Sequence, residues 1–194
     1  MPRSEIMSLP PNLQVGLKEW ASVCAAIEEG RQIILLRKGG INDAGGVFEL
    51  EERAFLLFPT YLHQKRHLLK PGEHAAFQER GSEPDMVRLS AAAVVTDVLR
   101  LRSREQVDAL DAEHVWTADQ IDLRFNYKPV NPLFLVLLRA YWLPAITTIP
   151  NTPVYAGCRS WVPFDQSAST AGATPVLDDA AFEARRQIVL TATR

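Results

Sequence analysis

Apolar residues follow a helical rhythm at the start of the chain and fall into strand-sized runs and alternations further on. Leu13, Leu17, Trp20, Ala21, Cys24 and Ile27 keep i, i+3/i+4 spacing, which predicts one helix capped by Asn12 and ended by Gly30. Arg31 to Lys38 has the unbroken apolar centre Ile33-Ile34-Leu35-Leu36 and reads as a buried strand stopped by Gly39-Gly40. Asn42 to Gly46 reads as a loop, Phe48 as the start of a short strand, and Phe55 to Phe58 as an apolar strand halted by Pro59. Thr60 is placed to cap a helix through Leu69, which Pro71 stops, and Glu73 to Glu79 reads as an exposed helix. Turn residues from Gly81 to Pro84 mark the main internal break.

In the second half, Met86 to Leu101 alternates as a long strand that bends near Thr96-Asp97. Ser103 with Gln106 has capping-box spacing and opens a short helix to about Ala112; Thr117 with Gln120 opens another that ends near Tyr127. Leu133 to Leu143 is the clearest strand, Pro144, Pro150 and Pro153 keep the next stretch extended, and Arg159 to Phe164 forms a final short strand. Gln166 to Thr174 turns to Ser, Ala, Thr and Gly, the composition of a linker, ahead of a helix from Asp178 to Val189. The expected organisation is a single domain over residues 1–165 with a linker and helical tail over 166–194. The expected fold is α+β, a bent and mostly antiparallel sheet or small β-barrel flanked by helices.

A chain of 194 residues, 47% hydrophobic and 23% charged, is long enough to bury a proper core. Its net charge of −2 means that any nucleic-acid contact has to come from a local basic patch. Lys65-Arg66-His67 and the run Arg100, Arg102, Arg104 are two such patches, with a solvated face as the plain alternative for each. The cysteines, Cys24 and Cys158, fit a reduced compartment. Met1 to Glu5 lacks a signal-peptide core, and the longest apolar run, Leu133 to Leu138, is far short of the ~20 residues that span a bilayer. The expectation is a soluble, cytoplasmic protein with no membrane partner.

Basic and aromatic residues gather beside Gly or Pro at the ends of the apolar runs. They are Arg37-Lys38-Gly39-Gly40, Phe58-Pro59-Thr60-Tyr61, Asn126-Tyr127-Lys128-Pro129 and Gly157-Cys158-Arg159-Ser160-Trp161. Strand-end loops are where a scaffold displays its working groups. The expected ligand-binding set is Arg37, Lys38, Gly39, Gly40, Thr60, His63, Trp116, Lys128, Arg159, Ser160 and Trp161. Arg37, Lys38, Lys128 and Arg159 are placed to meet phosphate, the glycines allow close backbone approach, and Trp116 or Trp161 is the candidate to stack on a base. Trp20 and Trp142 read as core.

Several chemistries lack their motif. G-x-x-x-x-G-K-[ST] is absent. His63 and His67 share a face of the expected helix, but two ligands of the three or four a metal needs is too few. Glu19, Asp43, Glu49, Glu51, Glu52 and Asp119 are available carboxylates in no diagnostic spacing, and Pro84-Asp85 is followed by no Glu-x-Lys. Cys158 beside Arg159 is a weak thiol candidate. No catalytic residue and no cofactor is named. The leading expectation is a module that binds RNA, DNA or a nucleotide. Two readings stand beside it: a metal-dependent nuclease or phosphohydrolase using Glu19 or Glu49 with Lys38, and a protein-interaction or regulatory protein whose basic loops meet an acidic surface.

Taken in order, Leu17-Lys18-Glu19-Trp20-Ala21, Gly30-Arg31-Gln32 with Arg37-Lys38-Gly39-Gly40-Ile41, Phe58 to Gln64, Val115-Trp116-Thr117, Tyr127-Lys128-Pro129 and Gly157 to Val162 resemble the bacterial domain-of-unknown-function family DUF1802. The resemblance runs from Leu17 to about Phe164, leaves the tail after Gln166 outside, and implies no activity. The opening helix, Gly30-Arg31-Gln32 and the strand ending at Arg37-Lys38 are also similar to the start of ASCH and related PUA-like domains. That second resemblance implies a small β-barrel of a kind that often binds RNA or modified bases, although the glycine-rich motifs central to those domains are not recognisable here.

Overall fold

The computed structural model describes residues 8–38, 41–44, 47–50, 52–127, 129, 131–155 and 160–194. Its elements run β1 (Asn12–Trp20), α1 (Ala21–Glu28), β2 (Ile34–Arg37), β3 (Ile41–Ala44), β4 (Val47–Leu50), β5 (Ala54–Thr60), β6 (Met86–Leu101), α2 (Arg104–Asp108), α3 (Ala118–Asn126), β7 (Leu133–Pro150), β8 (Trp161–Ser169), β9 (Thr174–Pro175) and α4 (Asp179–Ala192). Gly39, Gly40, Lys128 and Arg159 of the expected site lie outside the described residues, as do Gly157 and Cys158.

The first correction concerns the opening helix. The stretch also carries a period of two, with Val15, Leu17 and Glu19 alternating, and tertiary pairing favours that period; a register shift between Leu13 and Val15 sends Leu13 to the opposite apolar cluster. β1 lies between β5, to which it is parallel, and β8, to which it is antiparallel. Gly16 would weaken a helix by about 1 kcal/mol relative to alanine, whereas in β1 it makes room for a ring: a Cβ there would stand 2.7 Å from Cζ of Phe164. Only the second half of the expected helix survives, as α1, and Gly30 closes it at a φ of 69°.

The main sheet has the order β2-β7-β6-β5-β1-β8, with β9 added to β7; every pairing is antiparallel except β1 with β5. It is open, with β2 and β8 at the two ends of the order, so the barrel alternative does not hold. The bend comes from irregularities in the β6–β7 ladder. Between Leu89 and Ala91 the partner on β7 jumps from Thr147 to Trp142, and a second shift falls between Val95 and Asp97, where the sequence predicts a bend. The first irregularity reverses which face β6 presents. Val87, Leu89, Ala92 and Val94 join one apolar cluster, while Ala91, Ala93 and Val95 join the other. Pro144 falls among the extra β7 residues, where no ladder hydrogen bond is asked of it, so β7 continues past Leu143 to Pro150.

Other expectations also change. Residues 41–44 pair with 47–50 as a hairpin instead of forming a loop. The helix expected from Thr60 to Leu69 is absent because the backbone finds other partners. Thr60 ends β5 opposite Trp20, Lys70 N–H donates to Val115 O at 2.9 Å, and Thr117 N–H donates to Leu68 O at 3.0 Å. Only a short 3₁₀ turn remains at Arg66–Leu68, and another at Pro71–Glu73 replaces the expected exposed helix. His63 and His67 therefore share no helical face. The two capping boxes do open α2 and α3, though Thr117 makes no side-chain cap bond.

The stretch expected as a linker is partly strand, since β8 runs through Gln166 to Ser169. Asp178 then caps α4, its Oδ1 accepting from Ala181 N–H at 2.8 Å. α4 places Phe182 and Val189 in the same cluster as Leu17, Val23, Leu35 and Phe55. Arg186 fastens it to β6 with two hydrogen bonds to Asp97, at 2.7 and 2.6 Å.

Candidate functional site

β1 turns Leu17 and Glu19 to the same side, so a carboxylate follows a core leucine into the interior; Glu19 is 4% exposed. A buried carboxylate has to be paired. Arg37, the last residue of β2, donates from Nη1 to Glu19 Oε2 at 2.9 Å and to Lys18 O at 3.3 Å. Glu19 Oε1 accepts from the Trp20 N–H at 3.0 Å and from Arg124 Nη2, on α3, at 3.4 Å. Arg124 also donates to Leu36 O at 2.6 Å, and its guanidinium lies 4.5 Å from the centroid of the Trp116 ring. Burial lowers the Arg124 pKa and Glu19 works against that shift. Thr60 closes the group, its hydroxyl donating to Glu19 O at 3.0 Å.

Of the expected residues, Arg37 and Thr60 thus meet around Glu19, and Ser160 joins them through its carbonyl, which accepts from Lys18 N–H at 2.8 Å. Arg37 is committed to structural hydrogen bonds there. Trp116 is fully buried and offers no face to an incoming base, which corrects its stacking role. Trp161 is half-buried and meets Phe55 edge to face at 5.3 Å. Trp142, expected in the core, is 44% exposed, with its indole N–H donated to Glu28 O. His63 sits exposed on the turn after β5.

Lys38 takes a different direction from its neighbour. Its Nζ donates to the carbonyls of Phe125 and Tyr127 at the C-terminal end of α3 and stands 5.7 Å from the Phe125 ring centroid. Desolvation lowers its pKa. Beside it opens a cleft of about 430 Å³ lined by Lys38, Arg100, Leu101, Arg102, Phe125, Pro129, Asn131, Pro132 and Leu133. Among the described residues, the lining holds three cations and no carboxylate. Arg100 and Arg102 are exposed and form no ion pair among the described residues, whereas Arg104 is taken up by Asp108 and Asp122. Spacing i, i+2 at the end of β6 explains why the first two arginines reach the same cleft. That signal is readable in the sequence; the contribution of Phe125 and Asn131 is not, because it depends on where α3 ends against β7. Among the described residues, no three of His, Cys, Asp or Glu assemble as a metal site, and no helix is long and apolar enough to cross a membrane.

The model of the family described as "Domain of unknown function (DUF1802)" matches residues 16–188, which reaches beyond the motif-bearing stretch into α4. No curated protein matches the chain. Among solved structures, the chain is similar to ASCH from Zymomonas mobilis at 12% identity and a TM-score of 0.43, with 93% of this chain and 95% of that chain covered. A mutant of the same Zymomonas mobilis protein gives 12% identity and a TM-score of 0.40 over 94% and 99%. A likeness at this level carries no argument.

Proposed function

The chain belongs to the DUF1802 family, a domain family of unknown function, and from its geometry we propose that it binds a phosphate-bearing ligand, RNA, DNA or a nucleotide, in the cleft between β2, β6 and α3. The observation that carries this reading is the lining: Lys38, Arg100 and Arg102 face a cleft of about 430 Å³ with no carboxylate among its described lining residues. Unpaired arginines facing solvent carry a cost in self-repulsion that an anion relieves, and a guanidinium matches phosphate in a two-pronged geometry. The volume lies in the range of small-ligand sites, about 300–1,000 Å³, and suits a nucleotide or a single nucleotide unit of an extended strand better than a duplex. In this reading Arg100 and Arg102 contact phosphate, Lys38 fixes the end of α3 and adds charge, and Phe125 forms the apolar wall.

The metal-dependent nuclease reading is less well supported. Glu19, its leading carboxylate, has Arg37 on one oxygen and Arg124 on the other, so a cation would have to displace two guanidinium groups.

The test is binding of labelled single-stranded RNA, single-stranded DNA, duplex DNA and ATP across a salt series, for the native chain and for R100A/R102A. Each phosphate contact contributes about 0.7 to the log–log salt slope for a single strand and about 0.9 for a duplex. The double variant should flatten the slope by about 1.4 on a single strand and weaken binding at least tenfold at low salt. Equal affinity and slope in both proteins would refute the proposal.

A further inference from the structure

Among the described residues, five buried side-chain nitrogen or oxygen atoms have no hydrogen-bond partner, and four of them belong to one stretch: His114 Nδ1, Trp116 Nε1, Thr117 Oγ1 and Arg124 Nε. Buried polar atoms are almost always satisfied, so a concentration of orphans at one place asks for an occupant. Three of the four residues are in contact. The Arg124 guanidinium lies 4.5 Å from the Trp116 ring centroid, the His114 and Trp116 rings are 5.4 Å apart, and Thr117 is next in the chain. Thr117 occupies the N-cap of α3, where a threonine hydroxyl normally accepts a backbone N–H, yet it makes no such bond.

The character of the orphans narrows what fills the gap. Trp116 Nε1–H and Arg124 Nε–H are pure donors, and the Thr117 hydroxyl can donate as well. The charge beside them is unbalanced: two guanidinium groups, Arg37 and Arg124, share the single Glu19 carboxylate, leaving one positive charge. Trp116 is fully buried, which rules out a large ligand. We propose that a small inorganic anion of halide size is held between Trp116, Thr117 and Arg124, accepting from their donors and completing the charge of the Arg37–Glu19–Arg124 group. This site is separate from the cleft, since none of its three residues lines it.

Two measurements test it together. Crystals of the native protein soaked in bromide should show an anomalous peak within hydrogen-bond reach of Trp116 Nε1 and Arg124 Nε. In solution, the melting temperature should be higher in chloride than in gluconate at equal ionic strength, by about 3–6 °C at tenfold over Kd. W116F, which keeps an aromatic ring there and removes the N–H with the rest of the pyrrole ring, should lose that difference. T117V serves the same arm if W116F does not fold. Density there without anomalous signal would mean water and overturn the proposal, as would a chloride effect equal in native and variant proteins. Both variants leave Arg100 and Arg102 in place, so failure here leaves the cleft's ligand unaffected.

Discussion

Arg37 at the end of β2 donates to Glu19 on β1 at 2.9 Å, joining an edge strand of the sheet to the strand beside the opposite edge. No backbone ladder bridges that gap. The sheet bends far enough for side chains to do so, and the Arg37 hydrogen bond to Lys18 O and the Arg124 contact with Glu19 make the connection a network. Arg37 at the end of β2 and Thr60 at the end of β5 are held near each other by this group.

Removing the carboxylate while leaving two guanidinium groups buried should be costly. Glu19→Gln is expected to destabilise the fold by about 3–5 kcal/mol, the usual penalty for an uncompensated buried charge. Urea unfolding of native and variant protein reads the difference. A change below about 1 kcal/mol would mean that the network contributes little.

Stability should fall on mild acidification because of His114. Its pKa is lowered to about 4, first by burial and then by the positive charge of Lys70, against about 6.5 in the unfolded chain. Between those values the unfolded state binds a proton that the folded state refuses, so stability rises with pH through this window and is level above it. The full effect is about 3 kcal/mol. Chemical denaturation at steps from pH 4 to 7, repeated on His114→Gln, should show the slope reduced in the variant; an unchanged slope assigns it to other groups.

Gly16→Ala should cost about 1–3 kcal/mol, because its methyl would meet the Phe164 ring in a packed interior. A neutral result in thermal melting would show that the ring yields freely.

Phe182→Ala should cost about 3–5 kcal/mol, the range for deleting a buried aromatic ring. A loss of that size in equilibrium unfolding, in one transition shared with the rest of the chain, places α4 in the main core. A small loss, or a separate transition, would return it to the status of an appended tail.

Much of the second half was legible in the sequence. Capping residues at Ser103 and Thr117, the alternation of β6 with its bend, and the apolar run opening β7 are local signals with local causes. The first half was less so because non-local pairing decided it. Leu13, Leu17 and Trp20 satisfy a helical period, and only pairing with β5 and β8 makes residues 12–20 a strand. The segment after Thr60 lost its helix to hydrogen bonds with residues 115 to 117, far along the chain. In the candidate site, Arg37 and Lys38 are neighbours at a strand end. Alternation sends the first to Glu19 and the second to the cleft, and no motif spacing marked Arg124 as the second partner of Glu19.

The most direct test of the central claim is fluorescence anisotropy of a labelled single-stranded RNA titrated with native protein and with R100A/R102A, from low to moderate salt. Binding that weakens steeply with salt, and a double variant at least tenfold weaker with a slope flatter by about 1.4, is the predicted result. Binding independent of salt, or identical for the two proteins, would contradict the assignment of the cleft.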